Sequence, residues 1–235
     1  MGSKGEGDSG RRLALSHSEP IGEAAGSGGQ TEVPLSDSIS EESMTPYEYL
    51  TVFISVVLGL AVVHLLSGVA LLLDTRVRAR WDWIHGVWTG NVFITTMLVW
   101  WFNFGLTEVR EWTLPFFLNL VAYSVVLYLM SGLLYPVRGA EVKDFRAHFE
   151  ANRARLFMIC LAFQVVDLLD AVLERQALGT DWSPVQLTLI AVFGAAFVVG
   201  IRSSNRLFHG VLAVAWLVTC ISWGVAGLDN PILVG

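Results

Sequence analysis

Lysine is almost missing from this chain: Lys4 and Lys143 are its only two, and neither lies in an apolar stretch. A retinal Schiff base inside a helix bundle needs a buried lysine amine, so that chemistry is excluded. Cysteine is equally scarce. Cys160 and Cys220 both fall within apolar runs, which leaves no disulfide framework and no CxxCH attachment for haem. Charged residues of all kinds make up only 15 % of the 235 residues. The stretches between apolar runs are too short for a soluble catalytic domain. GxSxG, HExxH and Walker sequences are absent, so nothing in the residues argues for an enzyme. The formal charge of -6 is no nucleic-acid footprint either, because much of the acid lies in the first 43 residues and most arginines flank apolar runs.

What is present is hydrophobic. Apolar residues make up 54 % of the chain and mean hydropathy is +0.56. A soluble fold of this length keeps too much area exposed to hide that much apolar surface, whereas a bilayer acts as its solvent. Residues 1–43 stand apart: rich in Gly, Ser and Glu and nearly free of aromatics, they have the composition of a disordered polar tail. Arg11-Arg12 is followed by Leu-Ala-Leu-Ser-His-Ser-Glu-Pro and by no hydrophobic region, which argues against a cleavable signal. The expectation is that Met44 is the native start and that the tail is an extension.

A helix needs about 20 apolar residues to cross the hydrocarbon core. Runs of that kind predict six spans, at roughly 47–73, 84–106, 113–135, 156–174, 184–201 and 207–228, and so an all-α polytopic transmembrane bundle with no soluble domain. The fourth run is the least regular because it contains Asp167 and Asp170. Residues 138–155 read as a short amphipathic helix beside the membrane, with Phe145, Phe149 and Leu156 on one side. Arg76, Arg78 and Arg80 follow the first span, Arg138, Lys143, Arg146, Arg153 and Arg155 the third, and Arg202 and Arg206 the fifth. The opposite side has Arg110 and Arg175 in its loops. By the positive-inside rule the first loop is cytoplasmic and both termini face outward.

Ionisable groups within spans are costly and point first to function. Gln164, Asp167, Asp170 and Glu174 share an arc of about 120° on one helix face. Asp167 lies about 17 Å from the inner end of its span, at 1.5 Å per residue. This stripe is either a cation or proton site facing the bundle interior or a polar seam bonded to neighbouring helices. His64, about 15 Å from its own inner end, matches Asp167 in depth and pairs with it as a candidate relay. His85 and His209 open the second and sixth spans. With His64 they are the only candidates for a metal or haem, and no HxxxH pair supports them. Thr45-Pro46-Tyr47-Glu48 reads as a capping box with Pro at the first helical position. Glu48, Asn103, Asn119 and Asp170 all fall in the outer half, where they either line an outward polar cavity or bond helices together. Gly86-Val-Trp-Thr-Gly90 and Gly194-Ala-Ala offer close-packing surfaces.

The run Met44-Thr45-Pro46-Tyr47-Glu48-Tyr49, followed by Ile54-Ser55-Val56-Val57-Leu58-Gly59-Leu60, resembles a group of uncharacterised small bacterial membrane proteins that open with M-T-P-[YF]-E-Y. Trp83-Ile84-His85 and Trp100-Trp101 are similar to that group's second helix. The resemblance covers most of residues 44–175, implies a polytopic protein of the bacterial inner membrane, and carries no mechanism. Two functional expectations follow. One is a small transport- or channel-like protein with a polar cavity at the fourth span and no resident cofactor. The other is an accessory or sensor subunit packed against a larger membrane complex, or against copies of itself. A continuous polar path between helices marks the first, and a dry core the second.

Overall fold

The computed structural model describes residues 46–74, 79–103, 112–136, 142–179 and 181–228. The tail, Met44, the Thr45 side of the capping box, and Arg76, Arg78, Arg110 and Arg138 lie outside the described residues. The described residues form six helices and no named strand: α1 (Pro46–Leu73), α2 (Trp83–Phe102), α3 (Leu114–Leu134), α4 (Phe145–Leu178), α5 (Pro184–Arg202) and α6 (Arg206–Leu228). Five of them, α1 and α3 to α6, are long and apolar enough to cross a membrane. The sixth, α2, is less apolar because it carries His85, Thr89, Asn91, Thr95 and Thr96, and all five are buried. Side chains such as Val52, Val56, Leu60 and Val63 of α1 are more than half exposed, an apolar surface that suits contact with lipid.

Local sequence sets several helix ends. Asp82 Oδ2 accepts the His85 N–H at 3.3 Å, and Asp144 Oδ1 accepts those of Arg146 and Ala147 at 2.9 and 3.1 Å. Each supplies an acceptor to a first turn that has none of its own. Ser183 caps α5 in the same way, with Pro184 at the first helical position. At its far end α4 stops at Gly179, whose φ of 67° is the left-handed conformation glycine adopts without a Cβ clash. The amphipathic segment expected at 138–155 is therefore not a separate helix. From Phe145 onward it runs into the fourth span without a break, giving 34 residues, or about 51 Å at 1.5 Å per residue. That exceeds a hydrocarbon core of about 30 Å. Phe145, Phe149 and Leu156 are buried against the other helices.

The helices pack in two layers. α1, α3, α4 and α5 stand side by side in that order, each against the next. α2 and α6 form a pair laid across them, with α2 over α1 and α3, while α6 packs on α2 and touches α5 sparingly. Hydrogen bonds and small residues join the pair. Asn91 Nδ2 donates to the Ala213 carbonyl at 2.9 Å, and Trp216 Nε1 donates to Thr95 Oγ1 at 3.4 Å. Gly210 receives the Trp83 ring and Gly227 the Phe102 ring, where a Cβ would collide. Of the glycines expected at close contacts, Gly86 lies against Trp81, but Gly90 and Gly194 face open space.

Candidate functional site

A cavity of about 550 Å³ lies between the α3–α4–α5 row and the α2–α6 pair, in the half of the bundle that holds Asn103 and Gly227. Asp167, Asp170 and Glu174 of α4 all line it, with Gln164 one turn deeper. Their spacing of three and four residues puts them on one helical face, and α4 turns that face inward because its flanks pack on α3 and α5. Tyr123 donates its hydroxyl to Asp167 Oδ1 at 2.8 Å, and Asn119 donates its amide to Asp170 Oδ1 at 2.8 Å. Gln164 is 6 % exposed. Its amide nitrogen donates to the Ile190 carbonyl at 3.2 Å, which leaves its carbonyl oxygen without a partner among the described residues.

The charge balance is one-sided. Among the described residues no ion pair reaches Asp167, Asp170 or Glu174, and no Lys, Arg or His lines the cavity. The remaining wall is largely apolar and includes the rings of Phe102, Phe163, Phe193, Trp216 and Trp223. Asn103 lines it too, its side chain bonded to the Val99 carbonyl at 2.9 Å and its own carbonyl accepting the Tyr47 hydroxyl at 3.1 Å. Toward the other half of the bundle the cavity stops at packed rings. Phe197 lies 5.3 Å from Trp216 and 5.9 Å from Phe157, which stacks on His209 at 5.4 Å, and Trp88 packs on Phe157 at 5.5 Å. Among the described residues the pocket is blind at this end.

The histidines are elsewhere. His64 does not meet Asp167. Its Nε2 pairs with the Tyr135 carbonyl at 2.8 Å, while Asp167 is bonded to Tyr123, twelve residues earlier in α3 and about 18 Å away along the axis. Matching depths failed because helix ends are not coplanar: α4 begins eleven residues before the expected start, and α1 runs past the end of α3. His85 Nε2 pairs with the Leu134 carbonyl at 2.9 Å and His148 Nε2 with that of Leu133 at 3.1 Å. Three helices thus each send one imidazole to the carboxyl end of α3, where backbone carbonyls lack helical partners. His209 Nε2 does the same at the end of α5, on the Ser203 carbonyl at 2.9 Å. Each ring pairs its Nε2 with a carbonyl, while the buried Nδ1 atoms of His85 and His209 have no partner among the described residues, and His209 is separated from the other three. Among the described residues no group of three or more His, Cys, Asp and Glu is placed to hold a metal ion.

Of the residues singled out in the sequence, Asp167, Asp170, Glu174, Gln164 and Asn103 meet at the cavity. Asn119 stands behind it, as the donor to Asp170. Glu48 is exposed on α1 and does not line it, since α3 separates α1 from α4 in the row. Sequence reasoning gave no role to Trp216, Trp223 or Gln186 of the lining, or to His148. Their positions depend on which helices pair, and no local pattern encodes that. Compared with known proteins, the chain matches no family model, no curated protein and no solved structure.

Proposed function

We propose that this integral membrane protein binds a cationic solute in the blind cavity and acts as a small carrier in a bacterial cytoplasmic membrane, with the cavity facing outward. One observation carries the reading: three carboxylates line a solute-sized cavity that has no basic residue in its wall among the described residues. Carboxylates at membrane depth are costly, and such residues characteristically mark ion and substrate paths. Tyr123 and Asn119 each satisfy one oxygen and bring no charge, which leaves the charge compensation to a solute. The volume falls in the range of about 300–1,000 Å³ typical of small-molecule sites. A pocket closed at one end by packed rings suits a carrier better than an open channel. The outward orientation rests on the arginines, which concentrate in the segments at the opposite end of the bundle.

Equilibrium binding to the purified protein in lipid nanodiscs tests the proposal. A panel of organic cations and matched anions should yield saturable binding of cations only. Asp167→Asn and Asp170→Asn together should weaken it at least ten-fold, a loss of about 1.4 kcal/mol. Binding that ignores both substitutions, or that favours anions, overturns it.

A further inference from the structure

We infer that the solute is a bulky lipophilic organic cation and that it reaches the cavity sideways from the bilayer, between α5 and α6; this rests on the cationic reading above. The first argument concerns size. Asp167 and Glu174 are seven residues apart, about 10 Å along α4. A calcium ion gathers six to eight oxygens at about 2.3–2.6 Å, so carboxylates this widely spread do not converge on one metal ion. They suit a cation large enough to lie along two helical turns. The second argument concerns the wall. Phe163, Phe193, Trp216 and Trp223 line the same cavity as the carboxylates. Aromatic faces attract a desolvated cation and bury its apolar body, the combination by which quaternary ammonium groups are recognised.

The third argument concerns the route. α5 is held by α4 and α6 by α2, and the two touch each other sparingly. Trp216 joins them, its ring 4.9 Å from Phe193 and 5.3 Å from Phe197. Beyond that contact, Gln186 and Leu189 of α5 and Thr219 and Trp223 of α6 line the cavity. Trp223 of this lining is 38 % exposed. The outer faces of both helices are apolar, with Val192, Val218, Ile221 and Val225 at least half exposed. A gap between two helices whose outer faces suit lipid gives onto acyl chains. A lipophilic cation already dissolved in the membrane passes through it without crossing water, and a hydrated one does not.

Two measurements on the full chain in nanodiscs decide the matter. Tetraphenylphosphonium should bind at least ten-fold more tightly than tetramethylammonium, in a manner sensitive to Asp167→Asn with Asp170→Asn. The emission of Trp223, taken as the difference between wild type and Trp223→Phe, should be quenched by phospholipids brominated in mid-chain and protected by tetraphenylphosphonium. Equal affinity for the two cations overturns the lipophilic assignment. Emission quenched by aqueous acrylamide but not by brominated lipid overturns the lateral route. Both of those results leave the cationic reading standing. If neither cation binds the wild type, the cationic reading itself fails, and this inference with it.

Discussion

Removing the His85 ring disturbs the carboxyl end of α3 at its most buried point. The last carbonyls of a helix have no partner within it. Here the Ser131 carbonyl receives the Tyr135 N–H at 3.2 Å, and the Leu133, Leu134 and Tyr135 carbonyls are paired with His148, His85 and His64. His85 is fully buried, edge-on to Tyr135 at 5.0 Å and tilted against Phe145 at 4.7 Å. His85→Ala strands the Leu134 carbonyl, at about 1–3 kcal/mol for an unsatisfied buried group. It also empties the ring's volume, and a large-to-small change in a core adds about 2 kcal/mol or more. The expected loss is about 3–5 kcal/mol. His85→Gln keeps a donor at the site and should recover about 1–2 kcal/mol of it. His64 is only partly buried, and His64→Ala should cost about 1 kcal/mol, the scale of hydrogen bonds between membrane helices. Reversible unfolding of the purified protein in mixed micelles, followed by circular dichroism against SDS fraction, measures all three. An His85→Ala loss below about 0.5 kcal/mol refutes the capping argument on this scale. So does a chelator that shifts the wild-type midpoint, since the ring would then be serving a metal.

The same titration checks two further expectations. Asp82 is buried, caps α2 and is ion-paired with Arg206 at the start of α6. Arg206→Ala leaves that carboxylate uncompensated and should cost about 3 kcal/mol. In a double-mutant cycle with Asp82→Ala the coupling should be at least about 1 kcal/mol, and additive losses sink the pair as a link between α2 and α6. Gly210→Leu drives a side chain into Trp83 and should destabilise by about 1–3 kcal/mol. Gly90→Ala meets open space and should leave stability unchanged or raise it by up to about 1 kcal/mol through helix propensity. Equal effects at the two glycines contradict the α2–α6 packing.

Much of the candidate site was legible because it is local. Asp167, Asp170 and Glu174 share a face by helical periodicity alone, and an apolar run interrupted by acids points to a buried polar face before any neighbour is known. Helix ends marked by side chains or glycine were also readable in principle, as Asp144 and Gly179 illustrate. The start of α4 was placed too late because hydropathy was used for it. Charges such as Arg146 and Glu150 end an apolar run, but they do not end a helix whose residues lie beyond the hydrocarbon core. The relay between His64 and Asp167 failed for a related reason. Depth counted from each span's own end assumes ends in one plane, and these helices are staggered.

Apolar runs and their periodicity by themselves determined that this chain forms membrane-spanning helices, because the bilayer demands about 20 apolar residues and internally bonded backbone from each span. They also determined that one helix carries an acidic face. Tertiary packing alone decided what that face looks into. α6 joined α2, met α5 through Trp216, and so formed a cavity lined by side chains from helices far apart in the chain. It also brought three histidines, His64, His85 and His148, to the carbonyls of one helix end. Contacts of that kind depend on which surfaces fit one another, and residue order along a single helix does not contain that information.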